Sequence, residues 1–251
     1  MHNTDNKPWL LLKVNVCPHD YALKLSDMEV IKKADLLIWN GENLECFLTK
    51  LLKQPGLAKK LLTVQSLPKI NKLSFRNSKQ LDPHLWLSPQ NAKIILEAIT
   101  EKLIEMDPEN IKQYLLNKQY FFSQLSNKDI YIKNKLSKIK QQNYLVFHDA
   151  YQYFERFYGL QPSLVISDHQ EIPLNIQQML AIDNLISKSK TVCLFKEPDF
   201  NPKILKNLLK THKNLQIGDL DPIGLKQDLG KDGYFKLLTN LADGLDSCLG
   251  N

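Results

Sequence analysis

The chain has 251 residues, 43% hydrophobic and 24% charged, with a formal net charge of +6. This length and apolar content exclude a disordered chain and suffice for two modest lobes or one large domain. The positive excess comes from lysines spread along the whole length, with arginine only at Arg76 and Arg156, which argues against nucleic acid as a partner because its binders concentrate basic residues in one patch.

The N-terminal stretch MHNTDNKPWLLLKVNV has no basic start, and its short apolar run is broken by Lys13. It does not read as a secretory leader, so taken literally the sequence points to the cytoplasm. No apolar run reaches the ~20 residues of a bilayer span. β-branched or apolar runs place strands at 10–16, 35–41 and 61–65, and helical spacing places helices at 26–34, 43–54 and 88–106. Ser88 followed by Pro89 reads as an N-cap with proline at the first helical position. From Pro108 to about residue 140, apolar side chains recur at helical spacing, and no Pro or Gly occurs between Pro108 and Gly159. One long helix is expected there.

The alternation then restarts. Strands fit at 144–150, 162–167, 191–197 and 215–220, and helices at 151–159, 174–189, 201–212 and 233–249. Strand–helix alternation on both sides of a long helix implies an α/β protein of two lobes with parallel sheets flanked by helices. The expected division is an N-terminal lobe at 1–107, a linker helix at 108–140 and a C-terminal lobe at 141–251. Ligands of such sheets bind at the carboxyl ends of the strands, so a site in the cleft between the lobes is expected.

Six histidines occur: His2, His19, His84, His148, His169 and His212. His19 follows the first expected strand, His84 sits in the loop before the helix at 88, and His148 ends the strand YLVF. A lone loop histidine is usually a polar surface residue, but three strand-end or loop histidines about 65 residues apart suit ligands gathered from separate βα loops. Neutral imidazoles are good Zn²⁺ ligands, and three of them with a carboxylate or water complete a tetrahedron. The neighbouring Asp20 and Asp149 could orient rings or cap helices. His2, His169 and His212 read as structural or surface residues, and Trp86, Tyr151 and Phe154 as packing. Cys17 reads as a small buried residue rather than a thiolate ligand. None of the four cysteines forms a CxxC pair, so a cysteine-based zinc knuckle is not expected.

PHDYALKLSD, DPHLWLSP, VFHDAYQYFERFYGL, CLFKEPDFNP and LDPIG stand in this order along the chain. In these motifs it resembles the metal-binding solute-binding proteins of ABC importers, and specifically the ZnuA-like zinc-binding branch, from about residue 10 to the C-terminus. The resemblance implies that His19, His84 and His148 bind the metal. Manganese-binding relatives typically have Glu at the third position, so His148 implies Zn²⁺ over Mn²⁺. The matching fourth position is Asp221, for which a turn aspartate before Pro222 is an equal reading. The resemblance further implies a monomer that delivers zinc to a cognate permease in the inner membrane, and no enzymatic activity. Cys193 and Cys248 fall where some zinc-type relatives have a disulfide, which implies the periplasm.

The chain departs from that family in three places. It begins at what should be the second strand, so the expectation is that the true start, with an export signal, lies upstream. The region between the first two ligand motifs, SLPKINKLSFRNSKQ, is short, basic and free of histidine, where relatives often carry a long His-rich loop. EIPLN replaces a Pro-Ser-like motif. Two rival readings stay open at this point. One is a zinc hydrolase using three histidines and a water, although no HExxH occurs. The other is a truncated, non-functional remnant.

Overall fold

Residues 1–74 with 79–124 form one unit of the chain, and 75–78 with 125–251 form a second. The structure is a computed structural model and describes residues 8–12, 21–166, 176–189, 192–198, 210–225 and 230–250.

In the first unit, helix α1 (Leu25–Lys33) precedes strand β1 (Leu37–Trp39), which pairs in parallel with β2 (Leu61–Thr63), Leu37 opposite Leu61. Ile31 of α1 is buried with Leu48, Leu51, Leu52 and Leu57, and Leu37, Trp39 and Leu61 pack on that cluster. The helix expected at 43–54 is instead a 3₁₀ turn, Cys46–Leu48, and the short helices α2 (Thr49–Leu52) and α3 (Pro55–Ala58). Pro55 forbids a continuous helix through Gln54, which is held extended with ψ 135°. Of the strand expected at 10–16, Leu10–Leu12 are not strand, and residues 13–16 lie outside the described ones.

Helix α4 (Pro89–Met106) starts as expected, with the Ser88 side chain accepting from the Asn91 N–H at 3.2 Å. Ser88→Ala is expected to cost ~1 kcal/mol of stability, the usual value of an N-cap. Urea unfolding followed by far-UV dichroism would show it as a lower midpoint at unchanged slope. After a 3₁₀ turn at Pro108–Asn110 comes α5 (Ile111–Leu136), shorter than the expected 108–140. The division between the units falls within it, after Gln124, rather than at its two ends.

The second unit holds β3 (Tyr144–Val146), α6 (Gln152–Tyr158), β4 (Leu164–Val165), α7 (Ile176–Lys188), β5 (Val192–Lys196), β6 (Leu215–Asp219) and α8 (Gly233–Leu249). Its sheet is parallel throughout, in the order β4-β3-β5-β6. Leu145, Val192, Leu194 and Leu215 form a buried cluster with Ile182 and Ile186 of α7. Side chains alternate across a strand, so Cys193 points to the opposite face, where it is disulfide-bonded to Cys248 of α8 with Cα atoms 6.1 Å apart. Helix α8 buries Phe235, Leu238, Leu241, Ala242 and Leu245. It approaches so closely at Gly244 that a Cβ there would lie 2.7 Å from the Asp219 carbonyl oxygen. Helices thus cover both faces of this sheet, and the α/β class expected from the alternation is the one observed. The helix expected at 201–212 lies outside the described residues except at its end, where Lys210 and Thr211 are helical. Among the described residues, no helix is long and apolar enough to cross a membrane.

Candidate metal centre

His84 is placed by the ends of β1 and β2. Past Trp39, the chain turns at Gly41, whose φ of +141° and proximity to the Gln65 side chain leave no room for a Cβ. Glu45 closes this turn, its carboxylate accepting from the N–H groups of Asn40 (2.8 Å) and Gly41 (3.2 Å). Burial pushes the Glu45 carboxyl up from its usual range, and those two donors pull the other way. Asn40, so held, donates from Nδ2 to the Pro83 carbonyl at 2.6 Å. Asn91 supports the other side of the loop, donating from Nδ2 to the carbonyls of Leu85 (3.1 Å) and Asn71 (2.9 Å).

Between these supports, Asp82 and His84 are fully buried. Asp82 Oδ1 accepts from the His84 main-chain N–H at 2.9 Å and lies 2.7 Å from His84 Nδ1. A carboxylate only accepts, so the neutral ring carries its proton on Nδ1 and keeps the Nε2 lone pair. This is the usual arrangement of a metal-ligating histidine oriented by a carboxylate.

In the second unit, the carboxyl ends of three adjacent strands carry His148, two residues past β3, Glu197, next after β5, and Asp221, two past β6. His148 Nδ1 lies 3.2 Å from Glu197 Oε1, repeating the pattern of His84 with Asp82. The Tyr151 hydroxyl donates to the same Glu197 oxygen at 3.0 Å. Burial, with the charges of Glu197 and Asp221 added, pushes the Tyr151 hydroxyl well above its usual range, so it remains a donor. Asp221 Oδ1 accepts from the N–H groups of Ile223 (3.3 Å) and Gly224 (2.7 Å). It therefore makes the turn that one of its two sequence readings expected, although a carboxylate has lone pairs beyond those used here.

His19 and Cys17 lie outside the described residues, as do His2 and His169. His212 Nε2 lies 2.9 Å from Asp183 Oδ1, away from these loops. Among the described residues, no group of three or more His, Cys, Asp or Glu side chains could by itself hold a metal ion. What they supply is one carboxylate-oriented histidine in each unit. Sequence reasoning missed both orienting carboxylates. Asp82 was legible as the residue two before His84. Glu197 was legible only as a carboxylate at a strand end, the position class of His148 and Asp221.

The family model described as ZnuA, zinc-uptake complex component A, periplasmic, matches residues 5–248. The high-affinity zinc uptake system protein ZnuA of Haemophilus ducreyi is 33% identical over 267 residues, covering 96% of this chain and 85% of that protein. The protein of the same name from Yersinia pestis is 32% identical, with 96% and 83% covered. Among solved structures, a zinc-bound ZnuA with residues 138–173 of its own chain deleted has a TM-score of 0.79 at 24% identity, covering 95% of this chain and 88% of that one. The periplasmic zinc-binding protein TroA of Treponema pallidum has a TM-score of 0.77 at 24% identity, with 93% and 87% covered. These last two likenesses concern the fold. The family match over almost the whole length and the curated relatives a third identical lead to one assignment: the chain belongs to the ZnuA family.

Proposed function

We propose that this protein captures Zn²⁺ in the periplasm and hands it to the permease of an ABC importer, performing no chemistry on it. One observation carries the reading beyond family membership: both motif histidines in the described residues meet a carboxylate through Nδ1, at 2.7 Å for His84 and 3.2 Å for His148. With Nδ1 donating to a carboxylate, the Nε2 lone pair of each ring is the one this reading assigns to the metal. The ligand set is His19, His84 and His148, with Asp221 in fourth place. Affinity comes from replacing the ion's waters with three imidazoles and a carboxylate.

Solved structures of this fold include a manganese-bound and a cadmium-bound periplasmic metal-binding protein, so the fold does not choose the metal. The donor set does: nitrogen at His148 instead of carboxylate oxygen favours zinc over manganese. The disulfide between Cys193 and Cys248 suits an oxidising compartment. The protein acts as a monomer that docks on its permease.

Calorimetric titration of the chelator-treated protein with zinc is expected to give one site per chain. Absence of a one-to-one isotherm would sink the proposal. Asp221→Ala is expected to weaken zinc binding in the same experiment wherever the carboxylate is ionised, with the histidine-linked pH dependence left in place. Unchanged affinity, with stability altered by only ~1 kcal/mol as for a lost turn or cap, would retire Asp221 as a ligand and leave the three-histidine set standing.

A further inference from the structure

The loop that carries His148 has little regular structure to hold it. Strand β3 ends at Val146, residues 147–149 form a bend, and the main-chain contact that continues the ladder toward β5 is a long one, Phe147 N–H to the Phe195 carbonyl at 3.3 Å. Glu197 meets the ring of His148, and the His148 carbonyl accepts from the Ala150 N–H at 2.9 Å within the same loop. The next residue, Asp149, is fully buried, and it meets Arg76 twice. Asp149 Oδ2 accepts from the Arg76 main-chain N–H at 2.9 Å, and Oδ1 lies 2.8 Å from Nη1.

Arg76 is itself anchored on both arms. Nη1 donates to Ser163 Oγ at 3.1 Å, and Nη2 pairs with Glu155. Glu155 is buried in turn, and its Oε1 accepts from the Tyr144 hydroxyl at 2.9 Å and the Ser163 N–H at 3.2 Å. Tyr144 lies on β3 and Glu155 on α6, so the guanidinium is tied to the elements on either side of the His148 loop. All these residues belong to the second unit by contact, Arg76 through the segment 75–78. In a lysine-rich chain, this is one of only two arginines. Its planar fork can engage Asp149, Glu155 and Ser163 at once, as a single ammonium cannot.

We propose that Arg76 is a positioning residue for metal binding, setting the place of His148 by clamping Asp149 to the β3–α6 framework. The proposal rests on the reading of His148 as a zinc ligand. It differs from a purely structural ion pair in a checkable way. A structural pair sets only how readily the unit unfolds, whereas a clamp on the residue beside a ligand sets where that ligand's nitrogen stands in the folded protein.

Arg76→Lys keeps the charge and loses the fork. Arg76→Met leaves two buried carboxylates uncompensated and would endanger folding, so the second variant is Asp149→Asn, which keeps Arg76 paired with Glu155 and weakens only the clamp. Near-UV dichroism selects folded samples. Each is titrated with zinc, and the visible spectrum of each Co²⁺-loaded protein reports the geometry of the ligand set. The expected result is a zinc affinity lower by roughly 10- to 100-fold, the range for a lost ligand-orienting partner, with altered cobalt bands in both variants. Folded variants with the affinity and cobalt bands of the unmodified protein would overturn the proposal while zinc capture stood. An unmodified protein that bound neither metal would overturn both.

Discussion

His148→Ala is expected to lower zinc affinity by more than about 100-fold, beyond the range for losing only a ligand's orienting partner. The ring it removes is the one that Glu197 orients at 3.2 Å, and alanine offers no donor in its place. The pH dependence follows from the same chemistry. A ligating imidazole must be neutral, so protons compete with zinc for each ring. Zinc affinity should therefore fall as pH is lowered, with each histidine ligand contributing a proton to the slope. His148→Ala should bind more weakly at every pH and show a shallower slope, with one proton fewer. Competition against a fluorescent zinc chelator between pH 5.5 and 8 measures both, on samples checked by dichroism for an intact fold. An affinity within a few-fold of the unmodified protein would remove His148 from the ligand set. His148→Glu should recover binding in part and shift the preference toward manganese, since it exchanges nitrogen for oxygen.

Replacing both Cys193 and Cys248 with alanine is expected to be a costly stability change. Their bond closes a loop with a sequence separation of 55 residues and ties β5 to the last turn of α8. In the chain-entropy model, a cross-link of that span restricts the unfolded state by about 4 kcal/mol. For a chain of this size, that corresponds to a melting temperature lower by roughly 10 °C. Zinc affinity at 25 °C should change little, because the bond lies between the strand and the helix on one face of the sheet, whereas His148, Glu197 and Asp221 follow the strand ends. Differential scanning calorimetry of the two proteins in matched buffer measures the shift. A melting temperature that stayed within 2 °C would show that the link contributes nothing to holding α8 in place.

Much of the candidate site is legible in the amino-acid sequence, and the parts that are not share a cause. His84 and His148 stand out because each sits at a junction that local pattern marks, one before a Ser-Pro helix start and one after an apolar strand run. Their partners do not. Glu197 is 49 positions from His148, and Arg76 is 73 from Asp149. No periodicity or spacing joins residues so far apart. Only the parallel pairing of β3 with β5, Tyr144 opposite Cys193, brings the end of one strand beside the end of the other. Asp82 is only two residues from His84, yet a DPH triplet reads equally well as a turn, and the 2.7 Å contact to Nδ1 is what separates the two.

The same division runs through the fold. By itself the sequence determined the α/β alternation, the long helix, and the start of α4 at Pro89, because helix period, proline placement and an N-cap serine act within a few residues. It also determined that the chain carries the ZnuA motifs in order. Tertiary structure alone decided where elements stop. The run read as a strand at 144–150 ends at Val146, where the Ala150 N–H turns back to the His148 carbonyl at 2.9 Å and the side chains of His148 and Asp149 meet Glu197 and Arg76. The run read as a helix at 43–54 begins only at Cys46, because Glu45 turns its carboxylate back onto Asn40 and Gly41 and leaves helical geometry to do so. In both places, a long-range or side-chain-to-backbone hydrogen bond outcompetes the local preference. Such bonds cluster where the loops carrying His84 and His148 are held, so two of the element boundaries that sequence pattern misjudged lie next to the candidate ligands.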